Sequence, residues 1–460
     1  MAIKHFLNDN YTINYIGPTL SVRIKTKDPY YFDKILSEEI IKILKDDPTL
    51  KYHYDGEYEG LIIYDLDLLH VDSVVKKISE KVDIDIEKPN AIYRERITKK
   101  SRKFATYSPN KRNNIIFHVE PLDEKTESLV LSGKLDAIKN YQQLTSLLIK
   151  NANWNAESAN RVFDVFQGCL LINSAKEIQM LDTVKDHIKN PFEIPWFDTV
   201  KHYIIDQFEI QVRQGILAKE PLSGFKAKIS DLIIHENPKY ADHEQITKMV
   251  MGIFTESLRD AEPHLYEPIH KLFMKIPKKF EGSMTMLIKK HRGLILNLLS
   301  GDEYTTIECL IPTSELIDIA DRIKKNIQDM GFFKEKFYTF KKIPSSLEKK
   351  LILKLQGRKK VSRGIHSMKY INSIIDRADE KMKMMREKII STMNAQEITH
   401  LKIDRRYLLE FMDTSLCDFY DDNLPKLKPI FHRYLNYTGI YMQYEGSTIK
   451  FIYNKAINLH

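Results

Sequence analysis

One pattern constrains this chain more than any other: the order β-α-β-β-α-β can be read from it twice. Residues 19–27 alternate, with Leu20, Val22 and Ile24 on one face, as in a half-buried strand. Asp28-Pro29 then opens a helix in which Ile35, Leu36, Ile40, Ile43 and Leu44 recur at helical spacing, and Pro48 stops it. Strands near 49–54 and 60–64 follow, joined by a turn around Gly56. A helix over about 67–79 turns Leu68, Val71, Val75 and Ile78 inward, and a strand near 82–86 closes the unit. The order returns after Pro268: a strand, a helix from Ser283 to Lys290, strands near 294–298 and 303–310, a helix over 313–328 and a strand over 335–341. Each is a ferredoxin-like split unit.

A chain of 460 residues needs more than one core, since single cores rarely exceed ~250–300 residues. Between the two units, strands are expected around 92–97 and 113–119, helices near 138–150, 175–187 and 198–213, and a loop over 190–195. The last stretch reads as a helix over 379–392, a short helical hairpin with Leu408, Leu409 and Phe411, and a strand pair over 438–453. Hydrophobic content of 43% supports ordinary cores.

The sequence offers no catalytic constellation. Cys169, Cys309 and Cys417 are far apart, so neither a disulfide framework nor a zinc finger is indicated, and a reducing cytoplasm fits. The N-terminus lacks the apolar core of a signal peptide, and no run is long enough to span a membrane. Gly133-Lys134 is followed by Leu135 and lacks an upstream glycine, so it is no phosphate-binding loop. His235-Glu236 begins like a metalloprotease helix, but position 239 is Lys and Pro238 breaks the helix. No Gly-x-Ser-x-Gly occurs and no Cys/His pair suggests a nucleophile. The expectation is a non-enzyme with no cofactor and no metal. Lys+Arg 71 against Asp+Glu 63 gives +8, which suits a solvated surface as well as a nucleic-acid face.

Short segments in a fixed order narrow this further. They are Asp47-Pro-Thr-Leu50, Leu68-Leu-His-Val71, Ala91-Ile-Tyr-Arg-Glu95, Ser108-Pro-Asn-Lys111, Val119-Glu-Pro-Leu-Asp123, Leu170-Leu-Ile-Asn173 with Lys176, Gly215 through Gly224, Ile234-His235, Glu244-Gln-Ile246, Glu262 through Ile269, and His291-Arg-Gly293. Together they resemble the third to fifth domains of the archaeal and eukaryotic elongation factor 2 family, over about 80% of the chain. The resemblance implies an α+β multidomain fold in which two ferredoxin-like domains flank a ribosomal-S5-like α/β domain. The implied parts are an arm (1–17), a third-domain-like unit (18–92), a fourth-domain-like unit with an RNA-contacting tip (93–266), a fifth-domain-like unit (267–375) and a small C-terminal α+β extension (376–460).

Two departures matter. The chain begins close to where the family's third domain begins, so the resemblance implies a protein that fits the ribosomal factor site without burning GTP. At the tip, Tyr240 stands where the family carries its modified histidine, the diphthamide, and Asp242, His243 and Glu244 stand where glycines follow. Pro238 fixes φ and stiffens the loop.

The tip residues expected to meet decoding-centre RNA are Ser108, Asn110, Lys111, Arg112, Asn237, Pro238, Lys239, Tyr240 and His243. Ring stacking and phosphate contact would serve there. Lys99, Lys100, Arg102 and Lys103 form a second basic stretch, and Lys289, Lys290, His291 and Arg292 a third. Plain solvated faces explain such runs equally well, and cations at the end of the 283–290 helix also complement its dipole. Lys341, Lys342, Arg358, Lys359, Lys360 and Arg363 give a basic arm with the same two readings.

The expected partner is a ribosome, through RNA and protein of its factor-binding site, with residues 376–460 open to a ribosomal protein or a separate GTPase. A dormancy or hibernation factor is the leading expectation. The alternatives are the non-catalytic subunit of a split translation factor, which predicts an exposed apolar face near Ile13, Tyr15 and Ile16, and an RNP scaffold.

Overall fold

The computed structural model describes residues 17–26, 42–44, 47, 50–55, 60–132, 135, 141–175, 197–235, 237–327, 331–363, 387, 389–394, 400–404, 440–445 and 448–453. Outside them fall most of the expected 28–47 helix, the 175–187 helix beyond Ala175, the 190–195 loop, the hairpin of Leu408, Leu409 and Phe411, and Ile13, Tyr15 and Ile16.

The first split unit is built from β1 (Leu20–Thr26), β2 (Lys51–Asp55), β3 (Gly60–Asp65), α1 (Leu68–Ser79) and β4 (Ile84–Ile86). Its strands run in the order β2-β3-β1-β4, all antiparallel, and residues 42–44 are helical. The alternation read from residues 19–27 is the pleat itself. Leu20, Val22 and Ile24 are buried, and Val22 sits opposite Ile63. α1 lays Leu68, Val71, Val74, Val75 and Ile78 on that face. Two short strands, β5 (Asn90–Ala91) and β6 (Arg94–Ile97), lead out of the unit.

The middle region holds β7 (Phe104–Tyr107), β8 (Asn114–Pro121), α2 (Glu124–Leu131), α3 (Tyr141–Ala152), α4 (Ala156–Asn160), β9 (Val162–Phe166), β10 (Cys169–Asn173), α5 (Phe197–Arg213), β11 (Phe225–Ile233) and α6 (His243–Asp260). The sheet order is β7-β8-β11-β10-β9, antiparallel except for the β10–β11 pair. That parallel pair needs a crossover, and α5 lies in it. α5 and α6 join one core with the sheet, centred on Phe117, Phe208, Phe225 and Phe254, whose rings meet at 5.4–6.1 Å. A second core gathers Leu122, Leu129, Leu148, Val162, Leu170 and Ile172. With cores on both sides, β10 is buried at every position and shows no alternation. β9 and β10 are joined by Gln167 (φ 48°) and Gly168 (φ 73°), both left-handed as a two-residue hairpin requires. A Cβ at Gly168 would come within 2.7 Å of Val130 Cγ1.

The second split unit comprises β12 (Pro263–Pro277), α7 (Glu281–Lys290), β13 (Leu294–Ser300), β14 (Tyr304–Pro312), α8 (Thr313–Ile327) and β15 (Phe332–Lys342). Its order, β13-β14-β12-β15, repeats that of the first sheet. α9 (Ser345–Arg363) follows where the sequence reading saw only a basic arm, and its Leu355 is buried with Tyr93, Ala218, Leu265 and Ile343. Near the C-terminus β16 (His400–Asp404), β17 (Ile440–Glu445) and β18 (Thr448–Tyr453) form an antiparallel sheet of order β16-β18-β17.

The fold is mixed α+β with several antiparallel sheets, and it parts into two compact units. One combines both split units with residues 217–221; the other holds the five-stranded middle sheet and its helices. Within the first unit the two split domains share one continuous core, running from Leu20, Val71 and Ile78 to Leu272, Ile307 and Ile323.

Candidate nucleic-acid interface

The segments expected to form the tip, around residues 108–113 and 235–245, are tied together by side chains of one asparagine-rich turn. That turn links β7 to β8 and covers residues 108–113. Ser108 N donates to Asn113 O (2.8 Å) and Lys111 N to Ser108 O (2.8 Å), which closes the turn with Lys111 in the left-handed region (φ 58°). Asn113 is 0% exposed. Its Nδ2 donates to Tyr240 O (2.8 Å) and to Ser108 Oγ (3.0 Å), and its Oδ1 accepts from His235 N (2.9 Å). Asn110 adds a second bond, Nδ2 to Tyr240 O (2.7 Å), while its own N–H donates to Gln245 Oε1 (2.8 Å). Residues more than 120 positions apart thus become one surface.

On the other side of the tip, Pro238–Tyr240 form a single 3-10 turn, entered through Asn237, whose side chain accepts from Lys239 N (3.0 Å). Proline suits that start because its missing N–H would have no partner there. α6 begins straight after, with Asp242 accepting from Gln245 N (3.0 Å). The sequence pattern suggests only a loop over this stretch.

The Tyr240 ring is 43% exposed. It stands edge-on to His235, with centroids 4.7 Å apart, and Arg112 Cζ lies 5.3 Å from its centroid. Lys111, Arg112 and Lys239 are exposed around it. His243 is half-buried and meets the half-buried Tyr203 ring edge-on at 5.0 Å. Burial pushes the Tyr203 hydroxyl up to about 12. An exposed aromatic with a guanidinium beside it and lysines in the same turns is a surface suited to stacking a base and holding phosphate.

The other expected basic residues are more committed. Lys99 pairs with Glu262 (2.8 Å), Lys100 with Glu120 (3.3 Å), and Arg102 with Asp260 (3.0 Å), while Lys103 is exposed. In the first unit, Lys289 and Lys290 are exposed at the end of α7. His291 pairs with Glu315 (2.9 Å). Arg292 forks onto Glu267 (2.7 and 2.9 Å) and reaches Glu315 (2.7 Å), which gives it a structural duty.

Sequence reasoning missed Asn113, Gln245 and His235, which hold the tip, and Lys226 and Lys228 on β11, which with Lys100 surround Glu120. Beside them His118 is pushed down to about 4, first by burial and then by the Lys100 charge, against the pull of Glu120. Its folded pKa lies below the unfolded 6.5, so between pH 6.5 and 4 the unfolded chain binds the extra proton. The second unit should therefore lose stability as pH falls through that window. His118→Gln should flatten part of the fall in a pH series of thermal melts, and an unchanged slope would contradict the assignment.

Comparison with known proteins agrees with the fold. Residues 264–351 match the family described as elongation factor G C-terminus. Elongation factor 2 of Staphylothermus marinus is 30% identical over 345 residues, which is 74% of this chain and 45% of that protein. Elongation factor 2 of Sulfurisphaera tokodaii is 26% identical over 352 residues (76% and 46%), and that of Metallosphaera sedula 25% over 351 (75% and 45%). The chain thus spans slightly under half the length of the curated relatives it matches. Its likeness is to elongation factor 2 and lies in the C-terminal domains. Among the described residues no helix is long and apolar enough to cross a membrane.

Proposed function

We propose that this chain, similar to the C-terminal domains of elongation factor 2, binds the translation-factor site of an archaeal-type ribosome with its 108–113 and 235–245 tip turned to decoding-centre RNA. The observation that carries the reading is the Tyr240 platform: an exposed tyrosine whose backbone carbonyl is held by Asn110 and Asn113 and whose ring lies beside Arg112, with Lys111 and Lys239 exposed in the same turns. A rigid aromatic held this way binds a splayed base at low entropic cost. The 460 residues contain no phosphate-binding loop of the G-x-x-x-x-G-K-[ST] kind. A GTPase factor leaves its site when hydrolysis releases switch contacts. Nothing within these 460 residues supplies such a switch, and residence set by affinity alone suits occupation of idle ribosomes, as in dormancy.

The test is co-sedimentation of the purified chain with archaeal ribosomes across a salt series, without nucleotide. The expected result is saturable binding that weakens with salt, because phosphate contacts release counterions. Lys111→Ala with Tyr240→Ala should weaken it about tenfold to a hundredfold, since one stacked base contributes about 1–3 kcal/mol. Equal binding by wild type and double variant would refute the tip assignment. Binding that appears only with a GTPase-bearing partner would favour the split-factor reading, and binding to free RNA as tight as to ribosomes would favour the scaffold.

A further inference from the structure

The shared core of the two split domains contains a polar knot that neither the fold nor the tip requires. Asp67, His270 and Glu335 each offer one donor atom, and these atoms lie within 4.8 Å of one another. His270 is 0% and Glu335 3% exposed. Asp67 comes from the start of α1, His270 from the middle of β12 and Glu335 from β15, so the knot joins residues of both split domains.

The hydrogen bonds around it fix which atoms face inward. Thr19 Oγ donates its proton to Leu66 O (2.6 Å). Its contact with His270 Nε2 (3.3 Å) must then be an N–H donated by the ring. Neutral His270 therefore carries its lone pair on Nδ1. That nitrogen faces Glu335 Oε2 at 3.4 Å, one acceptor against another. Glu335 Oε1 is already used, accepting Leu69 N (2.6 Å) and so capping α1. Asp67 occupies the N-cap position but makes no cap bond, and its buried Oδ1 has no hydrogen-bond partner among the described residues. The turn that presents Asp67 is itself held: Asp65 Oδ1 accepts Leu66 N (2.5 Å) and Asp67 N (3.3 Å), and Asp65 Oδ2 pairs with His70. His70 reaches on to Asp47 (2.8 Å).

We propose that Asp67, His270 and Glu335 hold a divalent transition-metal ion of the zinc type, which clamps the two split domains together. Such an ion accepts an imidazole lone pair and two carboxylate oxygens, and water completes its shell. It resolves the facing acceptors and gives Asp67 Oδ1 a partner. The Nε2–H to Thr19 bond is the outer-shell contact that a ligating histidine needs to fix its tautomer. An alternative arrangement is a protonated His270 between the two carboxylates, with no ion.

The test uses the full chain, free of any tag, stripped with chelator and titrated with Co2+ and then Zn2+. The expected result is one Co2+ per chain with visible d–d absorption and no thiolate charge-transfer band, displaced stoichiometrically by Zn2+. Asp67→Asn should weaken Co2+ binding at least about tenfold. Without metal, that variant should melt no lower than the stripped wild type, because it removes the charge of a carboxylate whose buried Oδ1 has no hydrogen-bond partner among the described residues. Metal should raise the melting temperature of the wild type and not of Asp67→Asn. Glu335→Gln keeps the oxygen that caps Leu69 and serves as the second variant, with the same loss expected. Absence of stoichiometric uptake by the folded wild type, or uptake equal in all three proteins, would overturn the proposal and leave the protonated histidine.

Discussion

Glu95→Ala is expected to be the most damaging single change in the first unit, costing about 3–6 kcal/mol. Glu95 is 0% exposed, and its carboxylate accepts three backbone N–H groups of one short loop: Leu217 (2.7 Å), Ala218 (2.8 Å) and Glu220 (3.1 Å). Burial raises the Glu95 carboxyl above its ordinary value, and the three amides draw it part of the way back. The loop depends on this anchor because Lys219 sits at φ 60°. Gln356 holds the far side through Leu217 O (2.6 Å). Alanine leaves three buried donors unmet, at about 1–3 kcal/mol each before any water enters. For a unit of this size that lowers the melting temperature by about 10 °C or more. Glu95→Gln should recover only part, since its NH2 group faces one of the same donors. A melt within about 2 °C of wild type for the alanine variant would show that the loop does not depend on Glu95.

Asn113→Ala is expected to damage stability and binding together. The side chain makes three hydrogen bonds at the tip, and its loss leaves His235 N without its acceptor. The cost should be about 2–4 kcal/mol in the second unit, read by denaturant unfolding. Tyr240 O keeps its bond from Asn110 but loses the one from Asn113, so the ring is less well fixed. Ribosome affinity should fall about tenfold at a temperature where the variant remains folded. The two positions act as one device, so in a double-mutant cycle Asn113→Ala should cost little further affinity once Tyr240 is alanine. Additive losses would separate the asparagine from the platform.

These residues also show what a sequence gives up easily. β1 and α1 were legible because one face of each is buried, so their periodicity is plain. The repeated split unit followed from the same signal, down to elements such as α8 and β14. β10 was not found because it is buried on both faces and shows no alternation. Its hairpin turn is Gln167-Gly168, a weaker signal than Asn-Gly. β11 falls between the 215–224 and 234–235 segments and is not read as a strand. α9 was hidden by its lysines and arginines, since among its described side chains only a few, such as Leu355, are buried.

At the tip, the exposed residues and Asn110 could be named from the resemblance, whereas the buried hydrogen bonds of Asn113 that tie the turns together could not. Their partners lie more than 120 positions away, and hydrogen bonding of that kind leaves no local pattern. Arg292 reads as a free cation in sequence because Glu267 and Glu315 are 25 and 23 residues distant. The Asp67, His270 and Glu335 knot is invisible for the same reason, with no two of its members at ligand spacing.

The most direct measurement is an image by electron cryomicroscopy of the chain bound to idle archaeal ribosomes without nucleotide. Density for the middle sheet is expected in the factor site, with Tyr240 stacked against, or within hydrogen-bond reach of, decoding-centre RNA and Lys111 and Lys239 near phosphates. A complex in which the chain binds elsewhere, or in which the tip faces solvent while other surfaces hold the ribosome, would contradict this expectation.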